Sequence, residues 1–569
     1  MLVSPARKTP DMDAPTSLAR GNLWNKIREW ATAHPYWTLT IAVFIALGPF
    51  LSKPFNMDDP LFIWTARQIH THPLDPYGFN VNWYGSASPM WSVTQNPPLA
   101  CYFLALAAGI LGWSEIALHG ACLLPALAVI LGTYRLARRF CDHPMLAALA
   151  TLFTPVFLVS STTVMCDVLM LAFWMWAVVL WVEGMERDAT WPLAGAGLLI
   201  ALAALTKYFG ACLIPLLALY ILTSKRRLGR WAGFLLIPLL ALGIWQWATQ
   251  TLYHHALLSE AADYARRTSG FFSGARITAV MTALTFTGGC LSATIFMAPW
   301  LWRPRTLLAL AAGAALLAIA LFCQGAFLHG FYWIQGWFRF SMETQIVLWA
   351  ISGALVLALV AADMRTRRDA SSWLLALWVL GTFAFTGILN WTINGRSILP
   401  MAPAVGILLA RRWQPPAGRN GRILIPLAAS ALFAFLVARS DYLLAAAVRQ
   451  SAWQTYEKYG RGPQTMWFEG HWGFQYYLTE LGGQAASGKH FILRHGDYLA
   501  IPVNNTNLKM PPGPGEELEA DGPRYLTDMN INVGAGFYTS KGGALPFAFG
   551  PVRPEYVLVY TASSLEAKP

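Results

Sequence analysis

The sequence predicts an all-α polytopic membrane domain of about 13 transmembrane helices, followed by a small C-terminal extracytoplasmic α/β domain. Three observations predict it. Of 569 residues, 56% are hydrophobic and only 12% are charged, against about 45–50% and about 25% in soluble domains. The apolar residues fall in blocks near the roughly 20 residues that cross a bilayer. After residue 438 the texture changes to short apolar runs between Gly, Pro and Asn, the pattern of strands and turns.

Residues 1–36 read as a cytoplasmic N-terminal segment, and the first span covers 37–54. That block starts too late and runs too long for a cleavable signal core, so a retained helix is expected. Further spans are expected at 117–137, 144–161, 164–183, 190–205, 208–222, 231–249, 275–300, 306–323, 345–362, 372–388, 397–411 and 421–438. Lys207 divides 190–222 into a helical hairpin, because the whole stretch exceeds an ordinary span. The block 97–112, opened by Asn96-Pro97-Pro98, is apolar too. If it crossed, the alternation of charged loops would fail, so it reads as juxtamembrane or re-entrant, which is tolerated where protein covers its backbone. The membrane domain is thus 37–438, with a large first outer loop at 57–116, and the tail domain is 439–569.

The net charge of +12 is explained by its distribution. Basic residues sit in short connections: Arg138–Arg139, Lys225–Arg227 with Arg230, Arg303 and Arg305, Arg365 with Arg367–Arg368, and Arg411–Arg412. Such loops are cytoplasmic and meet anionic lipid heads, so the partner they imply is the lipid bilayer and no nucleic acid. Alternation then puts 57–116, 162–163, 206–207, 250–274, 324–344, 389–396 and the tail on the opposite side. In the tail, Trp472–Leu478, Phe491–Leu493 and Val557–Tyr560 have strand-like lengths. All seven cysteines precede it, so it carries no disulfide staple and must stand on its own core or rest on the membrane domain.

Five charges collect on the outer face: Asp58 and Asp59 after the first span, Asp167 near a helix start, Lys207 at the hairpin tip, and Arg396 before the span 397–411. Ionisable groups near hydrocarbon are costly unless they face a cavity or a partner. Each has a bland explanation alone: an N-cap, a helix-start carboxylate, a snorkelling lysine or an interfacial anchor. Their shared face points instead to group transfer off a phosphate, which needs a base for the attacking hydroxyl and cations for the departing phosphate. Asp58 or Asp59 would be the base, Asp167 would orient the acceptor or help a divalent ion, and Lys207 with Arg396 would clamp phosphate. Further substrate-binding candidates are Asn96, Tyr208, His254, His255, and His329, Tyr332 and Trp333 in the aromatic run 329–340. No Cys-x-x-Cys or His-Glu-x-x-His spacing marks a metal site, so no cofactor is assigned beyond a possible divalent cation. A transporter or flippase of a lipid-linked or anionic solute is the competing class, but no inverted repeat or polar residue near mid-membrane supports it. A scaffold presenting the tail is the third class; it would leave the membrane charges dispensable.

The segments Asn56-Met57-Asp58-Asp59-Pro60-Leu61-Phe62, Asn96-Pro97-Pro98-Leu99, Cys166-Asp167-Val168-Leu169 and Thr206-Lys207-Tyr208 occur in that order. Together they resemble polytopic GT-C glycosyltransferases, in particular the family of protein O-mannosyltransferases and lipid A aminoarabinose transferases. Asn394-Gly395-Arg396-Ser397-Ile398-Leu399-Pro400 with Pro403 is similar to that family's Arg-Tyr-x-x-Pro element, with Ser397 in place of Tyr. The resemblance covers residues 37–411. It implies a GT-C fold and an enzyme that passes a sugar from a polyprenyl-phosphate-linked donor to a lipid, glycan or protein acceptor. The reaction, usually inverting, would occur at the periplasmic face of the bacterial cytoplasmic (inner) membrane and need no nucleotide site. It also implies that Asp58 is the catalytic carboxylate and Asp167 the intramembrane one. Gln95–Asn96 stands where relatives often have His or Glu-Lys, which leaves metal dependence open.

Overall fold

The computed structural model describes residue 26 and residues 29–561, apart from 95, 269–275, 324–336, 391, 415–419, 488–492, 510, 512–514, 521–526, 530–535, 551 and 553. Apolar helices occupy the blocks that the sequence marks, but not all as straight spans. Among the described residues, seven are long and apolar enough to cross a membrane: Glu115–Phe140, Asp167–Arg187, Tyr208–Lys225, Arg230–Tyr253, Met342–Thr366, Ala370–Leu389 and Leu424–Gly460. Two bent pairs, Pro144–Leu152 with Pro155–Ser161 (62°) and Thr278–Cys290 with Ala293–Leu301 (81°), raise this to nine if each pair is one span.

The remaining blocks of the expected thirteen are shorter or broken. Pro35–Phe50 and Thr190–Thr206 fall below the length of a full span, and Pro304–Cys323 adjoins residues outside the described set. The block 397–411 breaks into Gly395–Ile398, a tight turn Leu399–Met401 and Ala402–Arg412. Hydropathy counts apolar residues and does not register bends; at one of them a proline lacks an amide proton and disfavours helical geometry in the residue before it. Thr154, ahead of Pro155, is extended accordingly. The expected juxtamembrane element is the helix Leu99–Leu111, which at 1.5 Å per residue spans only about 20 Å and packs on the outer-loop helix Asp59–Thr71.

The final long helix, Leu424–Thr455, runs well past residue 438 before the chain reaches the tail sheet. That sheet has five strands in the order Gln484–Ala485, Met466–Phe468, Tyr498–Pro502, Tyr556–Thr561, Glu516–Glu519; the first two pairings are parallel and the last two antiparallel. Val557–Tyr560 is a strand, as its alternation suggests, while Phe491 and Ile492 lie outside the described residues. Trp472–Leu478 differs from expectation: it belongs to the helix Trp472–Glu480. Nearly every residue of that run is buried, with Phe474 against Phe468 of the sheet and Gly473 close to the Phe55 carbonyl. A short run buried all round has no period to separate helix from strand. The tail has a small core of its own at Ala486, Leu499, Ile501 and Tyr560, but Phe537, Leu545 and Phe547 are buried in the same continuous core as the membrane helices.

Among those helices, Arg276–Cys290 and Trp337–Thr366 approach through glycine. A Cβ on Gly288 would stand 1.9 Å from the Trp349 carbonyl oxygen, and one on Gly353 would stand 2.2 Å from that of Leu284. Small residues of this kind let helices in lipid meet backbone to backbone. Gly353→Leu is therefore expected to destabilise the protein by about 1–3 kcal/mol or more, the usual range for overpacking, read as a lowered unfolding midpoint in detergent or nanodiscs; an unchanged midpoint would contradict this packing.

Candidate active site

The first acidic pair is split by its own turn. Met57 adopts φ 50°, a left-handed conformation that costs a bulky residue on the order of 1–3 kcal/mol, and the helix Asp59–Thr71 starts directly after Asp58, with Pro60 in its first turn. Asp59 turns inward: Oδ2 accepts from the Asn56 amide at 3.1 Å and Oδ1 from the Val164 amide at 3.0 Å. It thereby ties the 56–59 turn to the segment before Asp167. Burial pushes its carboxyl up to about 7. Asp58 turns the other way, a third exposed.

There it meets Arg396, whose Nη2 donates to Asp58 Oδ2 at 2.7 Å. Nη1 of the same guanidinium lies 3.9 Å from Asp167 Oδ2 and 2.8 Å from the Met165 sulfur. Lys207 Nζ donates to Asp167 Oδ1 at 2.6 Å. Four stretches of chain thus deliver a single alternating row, Asp58, Arg396, Asp167, Lys207, without an intervening residue. The row is deepest at Asp167, whose side chain is only 2% exposed, and more exposed at both ends, Asp58 at 33% and Lys207 at 24%. Local structure presents each group. Asp167 opens its helix, Lys207 is an extended residue between Thr190–Thr206 and the turn Tyr208–Cys212, and Asn394 caps Gly395–Ile398 by accepting from the Ser397 amide at 2.8 Å. Gly210 is required at the hairpin tip, where a Cβ would stand 2.5 Å from the Ala203 carbonyl oxygen. Two polar atoms in the row are buried without a hydrogen-bond partner among the described residues, Arg396 Nε and Asp167 Oδ2.

The outer-loop candidates divide. Asn96 and Tyr208 line one cavity with Trp91, Ser92, Thr94, Leu257 and Glu260. His255 joins its rim, stacked on Trp91 at 4.0 Å between ring centroids and bonded to Glu260 at 2.7 Å. His254 is instead exposed, in a left-handed conformation that ends the helix Leu236–Tyr253. His329, Tyr332 and Trp333 lie outside the described residues.

Several neighbours of the row had no motif to mark them. Lys53 and Asp441 form an ion pair almost completely shielded from solvent, and Tyr538 of the tail donates to both oxygens of Asp441 at 3.0 Å. The Tyr538 ring also lies under Arg396, 5.8 Å from its guanidinium carbon to the ring centroid. His471, stacked near Trp83 and bonded to Thr506 at 2.8 Å, feels the Asp58 charge, yet burial pushes it down to about 4, so it is neutral at pH 7. The one available signal was charge in an apolar helix, which marks Asp441 and, at the end of the first block, Lys53.

Comparison with known proteins agrees with the motifs. Residues 95–247 match the family described as dolichyl-phosphate-mannose-protein mannosyltransferase, which bears out the resemblance to GT-C glycosyltransferases. Among solved structures, the chain is similar to the Archaeoglobus fulgidus oligosaccharyltransferase in its apo form, at 13% identity and a TM-score of 0.49, over 81% of this chain and 65% of that one. It therefore spans less than two thirds of that protein's length. It is similar to ArnT from Cupriavidus metallidurans bound to undecaprenyl phosphate, at 13% identity and a TM-score of 0.41, over 95% and 99% of the two chains. The arabinosyltransferase EmbB from Mycobacterium smegmatis is 15% identical with a TM-score of 0.34, over 73% and 41%. No curated protein matches the chain.

The placement of Asp59 has a measurable consequence. Its folded value of about 7 exceeds the usual 3.8, so between those values the folded protein holds a proton that the unfolded chain has lost. The contribution of Asp59 to stability then falls as pH rises through about 4 to 7, against the opposite contribution of His471, whose folded value of about 4 lies below the usual 6.5. Asp59→Asn is expected to remove that slope, while Asp59→Ala leaves two buried amides without acceptors and costs about 1–3 kcal/mol for each. Unfolding midpoints of wild type and variants measured across this pH range check both; an Asp59→Asn difference from wild type that does not change between pH 4 and 7 would show that Asp59 is ionised throughout.

Proposed function

We propose that the chain is a membrane glycosyltransferase that moves a sugar from a polyprenyl-phosphate-linked donor to a hydroxyl of a lipid, glycan or protein acceptor. The single observation that carries this reading is the row Asp58, Arg396, Asp167, Lys207, assembled from four separate stretches of chain. Two cations at the depth of lipid headgroups suit a lipid phosphate, and the unpartnered Arg396 Nε is a buried donor that an anion would satisfy.

In this reading the donor phosphate sits against Arg396 and Lys207, with its isoprenoid chain lying toward lipid. Asp58, the most exposed carboxylate of the row, accepts the proton of the acceptor hydroxyl as that oxygen attacks C1 of the sugar. The bond from C1 to the phosphate oxygen breaks, its electron pair stays on that oxygen, and polyprenyl phosphate departs with its added negative charge held by the two cations. Asp167 holds Lys207 and Arg396 in place by lying between them. Among the described residues no group of three or more His, Cys, Asp or Glu could hold a metal, and each carboxylate of the row already faces a cation of the chain. That donor set does not fit a resident divalent ion, and no step is routed through one. The distribution of basic loops supports a bacterial inner-membrane protein with this site and the tail on the periplasmic side.

The test uses purified full-length protein in lipid with radiolabelled polyprenyl-phosphate sugars and a panel of acceptors. Asp58→Asn leaves Arg396 opposed by Asp167, so folding is expected to persist while sugar transfer falls about 10²–10⁴-fold, the usual contribution of a general base. Transfer at the wild-type rate in Asp58→Asn, or movement of intact donor across the bilayer without cleavage of the sugar–phosphate bond, would refute the proposal.

A further inference from the structure

Among the described residues, a short stretch of the tail, 537–540, lies beside the segment that leads into Arg396. The Gly395 amide donates to the Phe537 carbonyl at 2.7 Å, and the Ser540 amide donates to the Ile393 carbonyl at 2.8 Å. Between these bonds the Ile393 amide donates to Ser540 Oγ at 3.1 Å and Thr392 meets Thr539 at 2.9 Å, hydroxyl to hydroxyl. Gly395 admits the contact because any Cβ would collide with the Phe537 ring at 2.3 Å. The 537–540 stretch therefore lies along 392–395 as a splint, one residue short of Arg396.

Tyr538 is the middle of that splint and faces two ways. Its hydroxyl is fixed by the buried Asp441, itself paired with Lys53, so the ring cannot swing without leaving that buried carboxylate short of a donor. Its face lies within cation–π reach of the Arg396 guanidinium. Among the described residues, the other partners of that guanidinium are the Asp58 and Asp167 carboxylates and the Met165 thioether.

We infer that Tyr538 is a positioning residue for Arg396: anchored by Lys53 and Asp441, it sets the guanidinium that receives the donor phosphate, which makes the tail domain part of the phosphate site. This rests on the proposed role of Arg396 in binding phosphate. Tyr538 touches no reacting atom. Its effect is to hold the fork of Arg396 at the depth of the row, where Asp58 and Asp167 alone would leave it free to tilt.

The experiment measures binding of farnesyl phosphate, a short lipid phosphate, to the full-length protein in nanodiscs, so that sugar and acceptor need not be known. Arg396→Ala is expected to weaken binding strongly but measurably, because Lys207 remains as the second cation. Tyr538→Leu, which removes ring and hydroxyl, is expected to weaken it about tenfold, and Tyr538→Phe, which keeps the ring but frees it from Asp441, about threefold, in line with the strength of a partly desolvated cation–π contact. The decisive arm is the double variant. If Tyr538 acts through Arg396, Tyr538→Leu adds nothing in the Arg396→Ala background, a result that general loosening of the fold would not produce. Wild-type affinity in both Tyr538 variants, or a Tyr538→Leu effect that persists undiminished without Arg396, overturns the inference while leaving the phosphate role of Arg396 intact. Unchanged binding in Arg396→Ala instead overturns that role, and the inference with it. Should Tyr538→Leu fail to fold, Tyr538→Phe carries the same comparison.

Discussion

A charge buried among apolar helices must be neutralised, and that constraint organises the part of this molecule around the row. Asp58, Arg396, Asp167 and Lys207 alternate in sign, so each buried group is answered by its neighbour. Removing one member of such a set leaves an uncompensated charge, which costs far more than the pair itself contributes. The helix ends that carry these residues are therefore not free to drift apart. The second buried group, Lys53 with Asp441 and Tyr538, imposes the same demand between the first span, the last long helix and the tail.

The site is built where helices are interrupted. A left-handed Met57, an extended Lys207 and the broken stretch Gly395–Met401 each leave backbone groups outside regular helix. Irregular backbone at this depth is tolerated only when protein covers it or it lines a cavity. Asp59 meets part of that demand by accepting from the Asn56 and Val164 amides. The tail meets another part by bonding along 392–395. Side chains that carry charge and side chains that cover backbone thus come from the same turns, which explains why two adjacent aspartates do different things. Asp58 faces the row, and Asp59 holds the turn that aims it.

Helix breaks also account for where hydropathy misled. A run of apolar residues reports that a stretch is buried or in lipid, not that it is straight. Pro155 interrupts a block that would otherwise count as a single span, and the tight turn Leu399–Met401 divides another. The tail posed the opposite difficulty, because Trp472–Leu478 is enclosed on every side and so has no exposed face to give it a period.

Composition and loop charge were enough to establish a polytopic helical protein with a small α/β tail, because partition of apolar residues between water and lipid depends on local content alone. Asp58, Asp167, Lys207 and Arg396 stood out for the same reason: a charge beside an apolar block is visible without knowing its partner. Who pairs with whom was not. That Arg396 bridges Asp58 and Asp167, that Asp59 points inward, and that Tyr538 lies beneath the guanidinium all depend on contacts between residues more than a hundred positions apart. Linear order does not encode such contacts; packing of the helices and docking of the tail decide them.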